Sequence, residues 1–177
     1  MKHVAVLFVS ILFAGIAAVG LSAADPPPAQ AAGGKVARCG GGKIFLRAPE
    51  RRLFELHNRA RARRGLPRLC VHSELKRAAE AHSRDMIRRD YFSHDTKGKN
   101  ESACERIRRF GYRYRYCGEN IGYNRTPQRM FNAWMRSSGH RANILNRKYR
   151  EVGVGAYRGR YNGYKTTMYT VDFGRRR

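Results

Sequence analysis

The C-terminal stretch limits the fold of this chain more than any other part. Residues 151–157, "EVGVGAY", and 164–174, "YKTTMYTVDFG", alternate small or apolar residues with others, and "RGRYNG" between them carries turn residues. Two alternating runs joined by a turn predict a β-hairpin. The chain before it reads mostly at helical period. Pro49 suits a first helical position and Gly65 a C-cap, which predicts a helix over 49–64 with Leu53, Leu56 and Ala60 facing inward. Ser73 is placed to cap a second helix, 74–89, in which Leu75, Ala78, Ala79, His82 and Met86 recur on one face. A short helix over 101–110 ends at Gly111, and "GYRYRYCGENIGY" follows as irregular or extended chain. Thr126-Pro127 opens another helix, with Met130, Phe131, Trp134 and Met135 on one face, and Ser138 is placed to cap a last one over 139–146. Helices first and strands last predict an α+β domain rather than a βα repeat.

The chain has 177 residues, enough for one domain around one hydrophobic core. Residues 4–24 carry no charge and follow Lys2, so residues 1–31 read as a secretory signal peptide cleaved after 24 or 31, or as an uncleaved N-terminal anchor. Either reading exports the remainder: secreted or extracellular, and periplasmic in a Gram-negative cell. Residues 32–48 combine Gly and Ala with few large apolar side chains and read as a flexible linker or arm, tied down only if Cys39 is bridged. The folded domain is expected over 49–177.

Export makes Cys39, Cys70, Cys104 and Cys117 candidates for two disulfides, because no spacing among them gives a C-x-x-C metal knuckle. Three pairings are open. Loop length alone favours Cys39 with Cys70 and Cys104 with Cys117.

The formal charge is +24, and removal of residues 1–31 leaves it unchanged, since one base (Lys2) and one acid (Asp25) depart together. Such a field concentrates polyanions, and the expected partner is an anionic cell-wall or membrane surface, held in a salt-dependent way. A solvated surface with no partner accounts for the same charge. No aromatic-interleaved nucleic-acid motif is present, so nucleic acid is not an expected partner. A monomer is expected.

Six fragments then fall into register: "LHNRAR" (56–61), "YFSH" (91–94), "GENIGY" (118–123), "WMRSSGHRANIL" (134–145), "VGVG" (152–155) and "DFG" (172–174). Together they resemble the CAP superfamily of cysteine-rich secretory proteins, antigen 5 and pathogenesis-related 1, in its secreted bacterial form. The resemblance covers about residues 50–174 and implies a three-layer α-β-α sandwich with a cleft on one side. It also implies a cleft constellation of two histidines and two glutamates. His94 in "YFSH" and His140 in "GHRANIL" match the histidines, and Glu119 in "GEN" matches the first glutamate. The step from His140 to Gly153 agrees with the family spacing. Where eukaryotic members read W-Y-x-E, this chain reads "WMRS", so Ser137 stands at the second carboxylate position.

Three functions follow from the resemblance. Two imidazoles and one carboxylate can hold zinc or another divalent metal, which points to a cleft that binds metal or a small ligand without turnover. Metal-assisted hydrolysis of peptide-like substrates is the alternative, but the missing glutamate is the group that could serve as general base. A Ser137–His140 pair can be drawn as a nucleophile and base. The resemblance alone implies lipid or sterol binding as a third reading. Without metal or turnover, His94, Glu119 and His140 form a buried network in which Glu119 accepts from both imidazoles. Asn120 and Asn143 beside them read as backbone-satisfying residues, and His57 and His82 as hydrogen-bonded packing residues.

Overall fold

The computed structural model describes residues 32–177. The expected leader, 1–31, lies outside the described residues. The order of elements is β1 (Gly34–Ala37), β2 (Lys43–Leu46), α1 (Ala48–Ala62), β3 (Cys70–Val71), α2 (Ser73–Arg88), α3 (Ala103–Arg109), β4 (Tyr114–Asn124), α4 (Pro127–Arg136), α5 (Ser138–Ile144), β5 (Glu151–Tyr161) and β6 (Tyr164–Arg176). Strands β3, β5, β6 and β4 lie side by side in that order, with β3 parallel to β5 and the other pairs antiparallel. The predicted hairpin is β5–β6, turned at Asn162 and Gly163, whose positive φ angles fit a two-residue hairpin turn.

The sheet is covered on both faces, which makes the three layers. Val152, Val154, Ala156, Tyr169, Val171 and Phe173 face α1 and α4, where they join Leu53, Leu56, Phe131 and Trp134 in the main core. The residues between them face α2. Gly153 and Gly155 lie directly under α2, and a Cβ at either would overlap the backbone of Leu75 or Ala79. Glycine at these positions lets the helix reach the strand. A smaller core of Leu75, Ala78, Ile107 and Tyr112 joins α2 to α3, and Met86 packs with Ile121 and Met168.

Several local expectations are corrected. The "linker" over 32–48 contains the antiparallel β1–β2 hairpin, and Cys39–Cys70 bonds its turn to β3. Its glycines occupy the turn rather than a loose tether: Gly40, Gly41 and Gly42 all have positive φ. Of the two readings of the stretch after Gly111, irregular or extended, the extended one holds: it is largely the edge strand β4, paired along its length with β6. The caps shift by one residue. His72, not Ser73, caps α2 by accepting from the Glu74 N–H, and Ser137, not Ser138, precedes α5. The second bridge is Cys104–Cys117, so the pairing favoured by loop length forms, and the described residues contain no free cysteine. No helix among the described residues is long and apolar enough to cross a membrane.

Candidate functional site

β4 forms one edge of the sheet, and its alternation sends successive side chains to opposite faces. Glu119 turns toward the α2–α3 side, where it meets His94 from the loop after α2. Asn120 turns the other way, donating to the His140 backbone carbonyl at 3.0 Å. Asn143 bridges both, donating to the Glu119 carbonyl at 3.1 Å and to Asn120 Oδ1 at 2.9 Å. The edge of β4 therefore holds α5, and with it His140, in place. Asn120 and Asn143 satisfy backbone groups, as expected.

Arg61 completes the support from the other side. Its buried guanidinium donates to the carbonyls of Pro67, Ile144, Asn146 and Tyr149 at 2.9–3.1 Å, clamping the end of α5 and the approach to β5 onto α1. Burial, with Arg150 nearby, lowers its pKa to about 10. Among the described residues no carboxylate pairs with it, so the four carbonyls disperse the charge.

His94 Nδ1 donates to Glu119 Oε1 at 2.7 Å, and Arg106 donates to the other carboxylate oxygen. Burial opposes ionisation of Glu119, but the His94 hydrogen bond and the Arg106 charge outweigh it and hold the carboxyl below its usual range. The same hydrogen bond raises the His94 pKa against a smaller opposing effect of burial. His140 does not reach Glu119, so the expected network with both imidazoles on one carboxylate does not form. Its Nδ1 meets Ser137 Oγ at 2.8 Å, and its ring stacks on Trp134. Burial, then the neighbouring His94, lowers the His140 pKa.

Behind Glu119 lie two charged groups that the sequence reading overlooked. Arg106, on α3, is buried and also donates to the His94 carbonyl at 3.0 Å, which fixes the loop carrying the imidazole. Asp172, in "DFG", is opposite Glu119 in the β4–β6 register, fully buried, and without a hydrogen-bond partner at either oxygen. Desolvation, then the Glu119 charge, raises its pKa well above its usual value. His82 donates from Nε2 to the Ser93 carbonyl at 2.9 Å, and His57 from Nδ1 to that of Leu53 at 2.7 Å; both pack as expected. Only register could have flagged Asp172 in advance, because its partner is more than fifty residues away in the chain.

The donor set has a definite chemical character. Each imidazole has Nδ1 engaged by an oxygen of its own chain, and neither Nε2 makes a hydrogen bond among the described residues. For His94 the partner is a carboxylate, which only accepts, so it sets the tautomer and leaves the opposite nitrogen for a ligand; the Ser137 hydroxyl beside His140 orients the ring and serves either tautomer. Glu119 has both oxygens occupied and is an orienting group rather than a third donor. Among the described residues, no three His, Cys, Asp or Glu side chains are gathered closely enough to hold one metal ion. The Ser137–His140 contact puts a hydroxyl beside a ring nitrogen, yet no carboxylate faces the other nitrogen. The Ser137 N–H is used on the carbonyls of Ala133 and Trp134. A base without an orienting carboxylate is a weak activator of the hydroxyl beside it.

Comparison with known proteins follows this geometry. The model of the cysteine-rich secretory protein family, CAP, matches residues 54–173. Two Bacillus subtilis proteins are similar. YkwD is 38% identical over 109 residues, 61% of this chain and 42% of that protein. YlbC, a membrane protein, is 34% identical over 113 residues, 63% of this chain and 32% of that protein. The chain thus matches less than half the length of either relative. Among solved structures, an extracellular SCP-domain protein from Bacillus anthracis superposes with a TM-score of 0.62 at 27% identity, covering 77% of this chain and 47% of that one. An outer surface protein of Borrelia burgdorferi superposes with a TM-score of 0.64 at 19% identity, covering 82% and 99%, and shares the fold.

Proposed function

This chain belongs to the cysteine-rich secretory protein family, and on that premise we propose that it is an exported binding protein whose cleft holds a divalent metal or small ligand between His94 and His140 without turnover. The observation that carries this reading is the matched pair of imidazoles, each with Nδ1 tied to an oxygen and Nε2 free. Two imidazole nitrogens suit zinc or a similar borderline metal, with water or ligand atoms completing the shell. Such a metal would supply Lewis acidity to whatever it holds. What the chain itself supplies is orientation: Glu119 and Arg106 lock His94, while Ser137 and Trp134 lock His140.

Turnover lacks a residue to drive it. Glu119 is the nearest carboxylate, and its two oxygens are held by His94 and a guanidinium, so it is a weak base. Ser137 occupies the position where a second carboxylate would stand. Export is supported by the uncharged leader, by the two disulfides, and by the description of the B. anthracis relative as extracellular. The surplus of positive charge supports retention on an anionic envelope.

Metal titration of the wild type against a His94→Ala/His140→Ala double variant tests the cleft, using Zn²⁺ competition with a chromophoric chelator. One site per chain in the wild type, lost in the double variant, is the expected result. Equal zinc uptake by both proteins overturns the metal assignment. Hydrolysis of a peptide panel by the wild type but not the double variant overturns the assignment of binding without turnover.

A further inference from the structure

Few large apolar side chains stand exposed on this domain, and most of them gather in one place. Phe92, Tyr123 and Tyr164 are 40%, 48% and 77% exposed. Tyr123 contacts Phe92 and Tyr161 with ring centroids 5.3 and 5.0 Å apart. Tyr161 and Tyr164 flank the β5–β6 turn, and Tyr123 closes the far end of β4, so three separate segments build the cluster. It borders an open groove of about 450 Å³, lined also by Arg125, Arg129 and Lys165 and by the polar side chains of Asn124, Asn162 and Thr166.

The charge in this groove has one sign. No carboxylate lines it, and none of its three cations forms a salt bridge among the described residues. Asp90, which does not line the groove, accepts from the Asn162 N–H at 2.7 Å. Many cations of this chain likewise lack a carboxylate partner among the described residues; what sets this surface apart is that three of them stand beside exposed rings and amides in one groove.

We infer that this groove binds an acidic polysaccharide, a polymer of uronic-acid pyranoses. A pyranose has apolar C–H faces that settle on a single aromatic ring, and hydroxyl edges that suit amides and the Thr166 hydroxyl. Its carboxylates match Arg125, Arg129 and Lys165, with the planar arginines able to take them bidentately. The rings themselves argue against a nucleobase. Phe92 meets Tyr123 at 88° and Tyr123 meets Tyr161 at 55°, so no parallel pair of faces is held open for a flat base to enter. Insertion into lipid fits no better, because three tyrosine hydroxyls and two amides would lose water without new partners. The site is independent of the proposed metal cleft, although Phe92 stands only two residues before His94.

The test is calorimetric titration of the purified protein with decagalacturonate. Saturable binding is expected, weakened at least tenfold by Tyr123→Ala/Tyr164→Ala and at least tenfold by Arg125→Gln/Arg129→Gln. A neutral malto-oligosaccharide of equal length should bind at least a hundredfold more weakly. The His94→Ala/His140→Ala variant should bind as the wild type does, which separates this inference from the cleft. Aromatic variants that retain wild-type affinity overturn it, because binding then reflects net charge alone. Tighter binding of oligothymidylate or of phosphatidylglycerol vesicles, lost in the same variants, also overturns it. Should the double aromatic variant show a lowered thermal midpoint, Tyr164→Ala alone, at the turn and largely in solvent, provides the same comparison without disturbing the core.

Discussion

His57 is fully buried, and its ring lies among Phe131, Trp134 and Phe173. Its Nδ1–H has the Leu53 carbonyl, but Nε2 has no partner, so a proton there would be a buried, unpaired charge. Burial lowers its pKa to about 4. Below pH 6.5 the unfolded chain takes up a proton that the folded chain refuses, so stability is lost as pH falls from 6.5 toward 4. A shift of that size corresponds to about 3 kcal/mol. His82, also lowered to about 4, acts in the same direction, whereas the raised pKa of Asp172 acts in the opposite one. The informative quantity is therefore a difference: urea unfolding of His57→Phe should show a pH dependence between 7 and 4.5 shallower than the wild type by about 2–3 kcal/mol. Parallel curves would mean that the folded protein protonates His57 freely. At this scale the sequence announced His94, Glu119 and His140 through local motifs, yet it hid Arg106 and Asp172. Arg106 is one arginine among many in a basic chain, and Asp172 acquires its meaning only from lying opposite Glu119 in the sheet.

The elements that positioned the site were legible where local chemistry decides structure. Pro49 and Thr126-Pro127 start helices, Asn162-Gly163 turns the final hairpin, and the apolar faces of α1, α2 and α4 are the ones that pack. The β1–β2 hairpin was not legible, since four-residue strands joined by a run of glycines are too short to leave a period and draw their order from neighbours. The Cys39 N–H donates to the Val71 carbonyl at 2.9 Å, Arg38 bridges to Val71, and the disulfide joins Cys39 to Cys70 across a separation of 31 residues. Leu46 is buried in the main core with Val36 and Ile44 packed against it, and the bridge adds a covalent fastening to that packing and to these two backbone contacts. A Cys39→Ser/Cys70→Ser variant should lose up to about 4 kcal/mol by loop-closure entropy, read as a lower denaturant midpoint with Cys104–Cys117 intact. An unchanged midpoint would show that core packing and backbone bonds hold the hairpin without the bridge.

For the whole molecule the decisive property is a charge of +24 on a small domain. That net figure already counts the acids paired in Arg47–Glu50, Arg106–Glu119 and Arg176–Glu151, and the surplus includes a buried cation held by carbonyls, Arg61. Most of the other cations are exposed and spread over helices, strands and loops, so attraction to an anionic surface is distributed and should depend on total charge rather than on one groove. Distributed attraction fades as the screening length shortens, from about 8 Å at 0.15 M salt to about 3 Å at 1 M. Co-sedimentation with phosphatidylglycerol vesicles should accordingly retain the protein at 0.05 M salt and release it by 1 M, while phosphatidylcholine vesicles retain none. Substitutions of Arg125, Arg129 and Lys165 remove three cations of many and should shift this release only slightly, even though the same changes sharply weaken a uronic-acid ligand in the groove. The two responses separate a site from a field. Retention that persists at 1 M salt would mean that apolar contact, not charge, holds the protein to the surface.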